Sequence, residues 1–332
     1  MAGGAGVALA VTTHHHHKAS PPVTTLAAPT TTHPSGPPCP LTGAPAPSGS
    51  VPQRPALAIK VDNYPEARPQ SGLDDADIVF EEPVEGGITR FVAVFQCQEA
   101  SSVGPIRSAR AVDAQILDQL SDPVFIHAGG IEPVLAILQE SPLKDFNILD
   151  LPSITQINSS RVAPYSTYTS THDGWSLDPS DTTPPSPLFT YSPNPPTGTA
   201  VSSVHIPFSG TSDVTWTWNA STSKWMLTYS GQAAMLADGN QISTTNIVVQ
   251  MVNVTYGPWA ENSSGALEVQ SQMTGSGQLY VFRNGEEVSG TWKRSSLTSP
   301  ATLMGSDGSI IALSPGPTWV EIVPTTISVT TG

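Results

Sequence analysis

The chain has 332 residues, with 13 Lys and Arg against 27 Asp and Glu, a formal net charge of −14 and only 12% charged residues. That length permits two domains of ordinary size, while an acidic balance with no basic stripe excludes a nucleic-acid partner, since no row of cations can meet phosphates. Its 33 Pro and 27 Gly, set among many Ser and Thr, suit an exported protein better than a cytosolic enzyme.

Taken in order, Met1–Thr13 (MAGGAGVALAVTT) is an apolar run of small residues without a basic start. It is too short to span a bilayer and reads as the tail of a signal segment, so membrane association is expected only through a missing or truncated N-terminal signal. His14–His17 reads as a solvated part of a tail rather than a metal binder, because no acid or Cys is near enough to complete a closed site. Ala19–Ser50 is rich in Pro, Thr, Ala and Ser, the composition of an extended linker. Residues 1–38 are assigned to signal remnant and linker. The two cysteines, Cys39 and Cys97, are an even count in an exported chain, which suggests a disulfide tying the linker to the first domain. Whether they pair depends on their Cα separation. Cys39 as a lipid-bearing residue lacks a preceding apolar run with a cleavage pattern, and Cys97 as a nucleophile lacks a flanking His.

Residues 39–190 are expected to form an α/β domain. Ala56–Val61, Ile78–Phe80 and Phe91–Phe95 are short β-branched or aromatic runs bounded by Pro, Gly or Asn, and read as strands. They lead into or towards Asp62-Asn63, Glu81-Glu82 and a Gly104-Pro105 turn. In a sheet with parallel neighbours such ends converge on one edge, where open α/β sheets bind ligands. Four arginines, Arg68, Arg90, Arg107 and Arg110, fall in this stretch of a chain with 13 Lys and Arg in all. Guanidinium groups suit bidentate recognition of carboxylate or phosphate, and a helix-like run from Ile106 to Leu120 would add free N–H groups beside Arg107 and Arg110. An internal Arg–carboxylate network is the structural alternative. The expected ligand-binding set is Arg68, Arg90, Arg107, Arg110, Asp62, Asn63, Glu82, Arg161 and Tyr165.

Val124–His127 reads as a further strand, with His127 more often a donor to a backbone carbonyl than a base. Glu132–Gln139 reads as a short helix with Pro133 in its first turn. Tyr165 and Tyr168 either line a groove or pack its rim. Pro179–Pro196 is dense in Pro, Ser and Thr and places an interdomain boundary at 191–200.

From 201 to 332 the texture changes to short strands separated by Gly, Asn or Asp turns: Val204–Phe208, Val214–Trp218, Lys224–Tyr229, Asn246–Val254, Leu267–Gln272, Gln278–Arg283, Glu286–Lys293, Ile310–Leu313 and Thr318–Ile322. Asn284-Gly285 and Asp307-Gly308 are hairpin signals. The fold class expected is α+β, an α/β domain followed by an antiparallel β domain, sandwich or open barrel, with Trp216, Trp218, Trp225, Trp292 and Trp319 in its core.

The runs DNYPEARPQSGLDDADIVFEEPVEGGITRF, GPIRSAR, FIHAGG, GTWKR and PGPTWVEIVP, in that order over most of Cys39–Pro324, resemble the YerB family of bacterial lipoproteins. The resemblance implies two domains of unknown function, export and an envelope location, with no established reaction. The family pattern carries a His-Asn pair after Ala-Pro, whereas here Ala163-Pro164 is followed by Tyr165-Ser166, so a role requiring that imidazole does not carry over.

No phosphate loop, dinucleotide fingerprint, Ser elbow or zinc spacing is present, and no cofactor or metal is expected. Two classes remain. One is an extracytoplasmic binding or interaction protein recognising an anionic ligand, cell-wall or small-molecule, with an envelope protein as a further candidate partner. The other is a metal- or carboxylate-dependent hydrolase of cell-wall or phosphate-ester substrates, with Asp62, Glu82, Glu85 and His127 as weak catalytic candidates. The two are told apart by whether the carboxylates of Asp62, Glu82 and Glu85 stand together in open solvent or are each held by a cation.

Overall fold

The structure is a computed structural model that describes residues 1–12, 36–261 and 263–332. Contacts divide the chain into two units, Met1–His33 and Pro34–Gly332. The described residues of the first are exposed and carry no helix or strand; the four-histidine run lies outside the described residues. Among the described residues no helix is long and apolar enough to cross a membrane. In the second unit the run read as linker is folded from Cys39 onward, with Cys39, Leu41, Thr42 and Ala46 buried. The disulfide forms: Cys39 and Cys97 are bonded with Cα atoms 6.1 Å apart, 58 residues apart in sequence.

The first half contributes β1 (Leu57–Asp62), β2 (Ile78–Pro83), β3 (Thr89–Phe95), α1 (Ala111–Leu117), β4 (Val124–His127), α2 (Glu132–Glu140), β5 (Lys144–Asn147) and α3 (Thr171–Trp175). The second contributes β6 (Ser203–Pro207), β7 (Asp213–Asn219), β8 (Lys224–Tyr229), β9 (Asn246–Val252), β10 (Val254–Ala260), β11 (Leu267–Ser271), β12 (Gly275–Arg283), β13 (Glu286–Arg294), β14 (Thr302–Gly305) and β15 (Thr318–Pro324). The fold is α+β, with antiparallel sheets in the C-terminal half. One large sheet runs β14-β13-β12-β9-β15-β2-β3-β1-β4-β5, so strands from both halves share it. The joint is β15, which lies parallel to β2 on one side and to β9 on the other. β6, β7 and β8 form the centre of a second, antiparallel sheet, and β10 and β11 form a separate two-stranded ribbon.

The burial pattern explains the sequence texture. β1, β3 and β9 are buried along their whole length, so they read as nearly continuous apolar runs. In contrast, β8 alternates buried and half-buried residues, as expected of a strand with one solvated face. One face of the large sheet, through Ile59, Val79, Phe91 and Trp319, packs on Trp216, Trp225 and Leu227 of the second sheet, making a sandwich. The opposite face, through Ala58, Phe80, Val92 and Val320, packs on Val112, Ile116, Val134 and Leu138 of α1 and α2. Trp216, Trp225, Trp292 and Trp319 are buried, whereas Trp218 is only half-buried, packed against the core from its edge.

Two expectations fail locally. Ile310–Leu313 makes only isolated bridges, to Met304 and Tyr191, because Ile311 and Leu313 donate to Leu303 and Thr190 from different neighbouring segments. The helix after Gly104-Pro105 begins only at Ala111. Before it the chain is extended, since Ile106 bridges to Val61 and the Arg107 amide donates to the Lys60 carbonyl at 2.9 Å.

Candidate functional site

β1 and β2 run in the same direction with β3 antiparallel between them, so the ends of β1 and β2 and the start of β3 meet at one sheet edge. Register then sets Asp62 opposite Arg90 and Arg90 opposite Glu82. Directly opposed residues share a face, and this is the face covered by α1. Beyond β2 the chain turns through Glu85–Gly87, where Gly86 and Gly87 have φ of 76° and 72°, a region glycine adopts without a Cβ penalty. That turn aims Glu85 back towards the arginines.

The result is a cleft of about 280 Å³ lined by Asp62, Glu85, Arg90, Arg107 and Tyr165, with Tyr64, Ile88 and Ala266 at its rim. Arg107 Nε lies 2.9 Å from Asp62 Oδ2. Arg90 lies behind, its Nε 4.0 Å from Asp62 Oδ1, its Nη2 3.6 Å from Glu85 Oε1, and its Nη1 donating to the Ser108 carbonyl at 2.9 Å. Burial lowers the Arg90 pKa to about 10, assisted by the neighbouring Arg110 charge, which still leaves it cationic at neutral pH. Burial by itself would raise the Glu85 carboxyl, yet Arg110 hydrogen bonds and the charges of Arg90 and Arg110 outweigh it and hold the group below its ordinary value. Arg107 differs from the other two arginines. Its side chain is 31% exposed and meets Asp62.

Arg110 is a structural clamp. Its Nε donates to Glu85 at 2.8 Å, its Nη2 also pairs with Glu85, and its Nη1 lies 3.1 Å from Glu261 Oε2. Glu268 accepts from the Ala111 amide at 2.8 Å, and burial beside Glu261 raises its pKa to about 9. The first amide of α1 is therefore occupied by a glutamate 157 residues away, and the amides of Arg107, Arg110 and Asp113 are bonded within the protein as well.

Several other expected residues are held elsewhere. Glu82 and Asp113 both pair with Lys60, Asp113 at 2.7 Å, and all three side chains are fully buried under α1. Burial and the Asp113 charge push Glu82 up to about 7 against the opposing pull of Lys60. Asn63 points to the opposite sheet face, donating to Thr89 and Tyr229. Arg68 donates to Asn63 and stacks 3.7 Å over the Tyr229 ring, lining a separate hollow of about 610 Å³. Arg161 donates to the carbonyls of Glu66 and Pro69, tying two loops together. His127 is buried, with Nδ1 donating to the Gly129 carbonyl at 2.8 Å and Nε2 2.9 Å from Asp145, so it is unsuited to act as a base. Of the expected set, the cleft collects Asp62, Glu85, Arg90, Arg107 and Tyr165.

Sequence reasoning missed Lys60, Asp113, Glu261 and Glu268. Lys60 carried a usable signal: a lone cation inside an apolar strand must be paired where it is buried.

The chain is 30% identical over 299 residues to the candidate lipoprotein YerB of Bacillus subtilis (strain 168), covering 86% of each protein. It belongs to the YerB family. Residues 41–179 match the N-terminal domain, and residues 204–320 the C-terminal domain, of a protein of unknown function, DUF3048. The YerB-like fold agrees with the crystal structure of YerB from Bacillus subtilis at a TM-score of 0.76 and 25% identity, covering 88% of this chain and 99% of that one. Tyr165, which follows Ala163-Pro164, stands in the cleft.

Proposed function

We propose that this YerB-family chain is an extracytoplasmic, envelope-associated binding protein whose cleft holds an anionic group, a phosphate or carboxylate, on Arg107. The lipoprotein description of its Bacillus subtilis relative and its own composition support the location. The observation that carries the binding reading is the contrast in exposure among the three arginines: the side chains of Arg90 and Arg110 are 5% and 3% exposed among carboxylates, whereas that of Arg107 is 31% exposed and meets Asp62 through Nε. Asp62 holds Arg107 at Nε, so less conformational freedom is lost when a ligand takes up the rest of the fork. The hydrolase alternative has less support, because Asp62, Glu82 and Glu85 are each held by a cation.

The test is calorimetric titration of the full chain with inorganic phosphate and with acetate. Arg107→Ala should weaken binding by about tenfold or more, with little change in Tm because the side chain is part-exposed. Unchanged affinity in the folded variant would overturn the reading.

A further inference from the structure

A second cavity of about 640 Å³ adjoins the cleft, and the two share Glu85, Gly86, Ile88 and Ala266 as common walls. Its volume is in the range of small-molecule sites. The composition of the two spaces is opposite. Glu85 is the one charged residue lining the larger cavity, at the shared wall, and its carboxylate is already taken by Arg110. One wall is a face of the β10–β11 ribbon. Tyr256 stands directly opposite Val269, with Val254 two residues before it and Leu267 two before Val269, so the period of two puts all four side chains on one side. Tyr256 is 70% and Leu267 43% exposed, leaving large apolar side chains facing an open trough. Phe208 and Ile327 line the space as well.

From this continuity we infer that the ligand is an anionic amphiphile with one long apolar chain, an alkyl or isoprenoid phosphate or carboxylate, its head on Arg107 and its chain along the groove. The inference rests on the anion reading of the cleft and adds the chain site. A peptide fits less well. The ribbon turns side chains, rather than an unpaired strand edge, towards the groove, so a peptide backbone there would lose water without gaining ladder partners. A hydrocarbon chain has no such groups to satisfy, and only its head needs the guanidinium.

The experiment titrates the full chain with butyl phosphate, decyl phosphate and decyltrimethylammonium, each below its micelle concentration. Decyl phosphate should bind at least about 100-fold tighter than butyl phosphate, as six further methylenes leave water, and the cationic amphiphile should not bind. Leu267→Glu and Tyr256→Glu, at exposed positions, should bring decyl phosphate close to the butyl value and leave butyl phosphate unaffected. Equal binding of the two phosphates would overturn the chain site and leave the anion reading standing. Equal binding of the cationic amphiphile would show a merely apolar patch and overturn the inference. Failure of both phosphates would overturn both readings, and preference for a peptide with a free carboxylate over decyl phosphate would overturn the chain assignment alone.

Discussion

Glu81 and Glu321 are neighbours across the parallel pairing of β2 and β15, fully buried between the two sheets. Trp319 Nε1 donates to Glu81 at 3.2 Å and Trp216 Nε1 to Glu321 at 2.7 Å, while Thr89 donates to Glu81 at 2.7 Å. Burial raises Glu81 from 4.5 to about 7 despite these donors, and burial beside Glu81 raises Glu321 well above its ordinary value. The folded protein therefore holds a proton here that the unfolded chain releases near pH 4.5. Stability must be fully present below that pH and fall as pH rises through about 7, because protons bound only by the folded state are released against folding. Taking the Glu81 interval, 4.5 to about 7, at about 1.4 kcal/mol per pH unit gives about 3 kcal/mol. Glu321→Gln keeps an acceptor for Trp216 and supplies an N–H to Glu81, so it replaces the shared proton with a permanent donor. Urea unfolding should find variant and wild type similar at pH 4.5 and the variant more stable at pH 8, because the variant keeps the Glu81 loss of about 3 kcal/mol and sheds the further loss that Glu321 adds. A stability difference that does not change between those two pH values would refute the reasoning.

Lys60→Met should cost about 3–5 kcal/mol in urea unfolding at neutral pH, because it leaves Glu82 and Asp113 buried without their cation; a cost below about 1 kcal/mol would mean the acids are neutralised another way. Replacing Cys39 and Cys97 together by Ser should cost about 4 kcal/mol on the chain-entropy argument for a loop of this length, read as a lower Tm of the non-reduced protein. With the Arg107→Ala titration, these separate the residues that hold the fold from the one proposed to meet a ligand.

The sequence by itself determined the elements, the export-like composition and much of the sheet edge. β-branched runs ending in acids, and arginines concentrated in an otherwise acidic chain, were enough to point to Asp62, Arg90 and Arg107, since strand period and charge are local properties. It also held an unread signal: a charged residue inside a strand buried on both faces, as in LAIKVD, IVFEEP and TWVEIVP, has to find a partner. Which partner was a tertiary decision. Only the insertion of β15 beside β2 set Glu321 against Glu81, and only the return of the β10–β11 ribbon to α1 set Glu261 and Glu268 on Arg110. Four arginines looked equivalent in the sequence because the guanidinium is the same in each; burial and the nearest carboxylate, both fixed by long-range packing, left Arg107 more exposed than Arg90 in the cleft they both line.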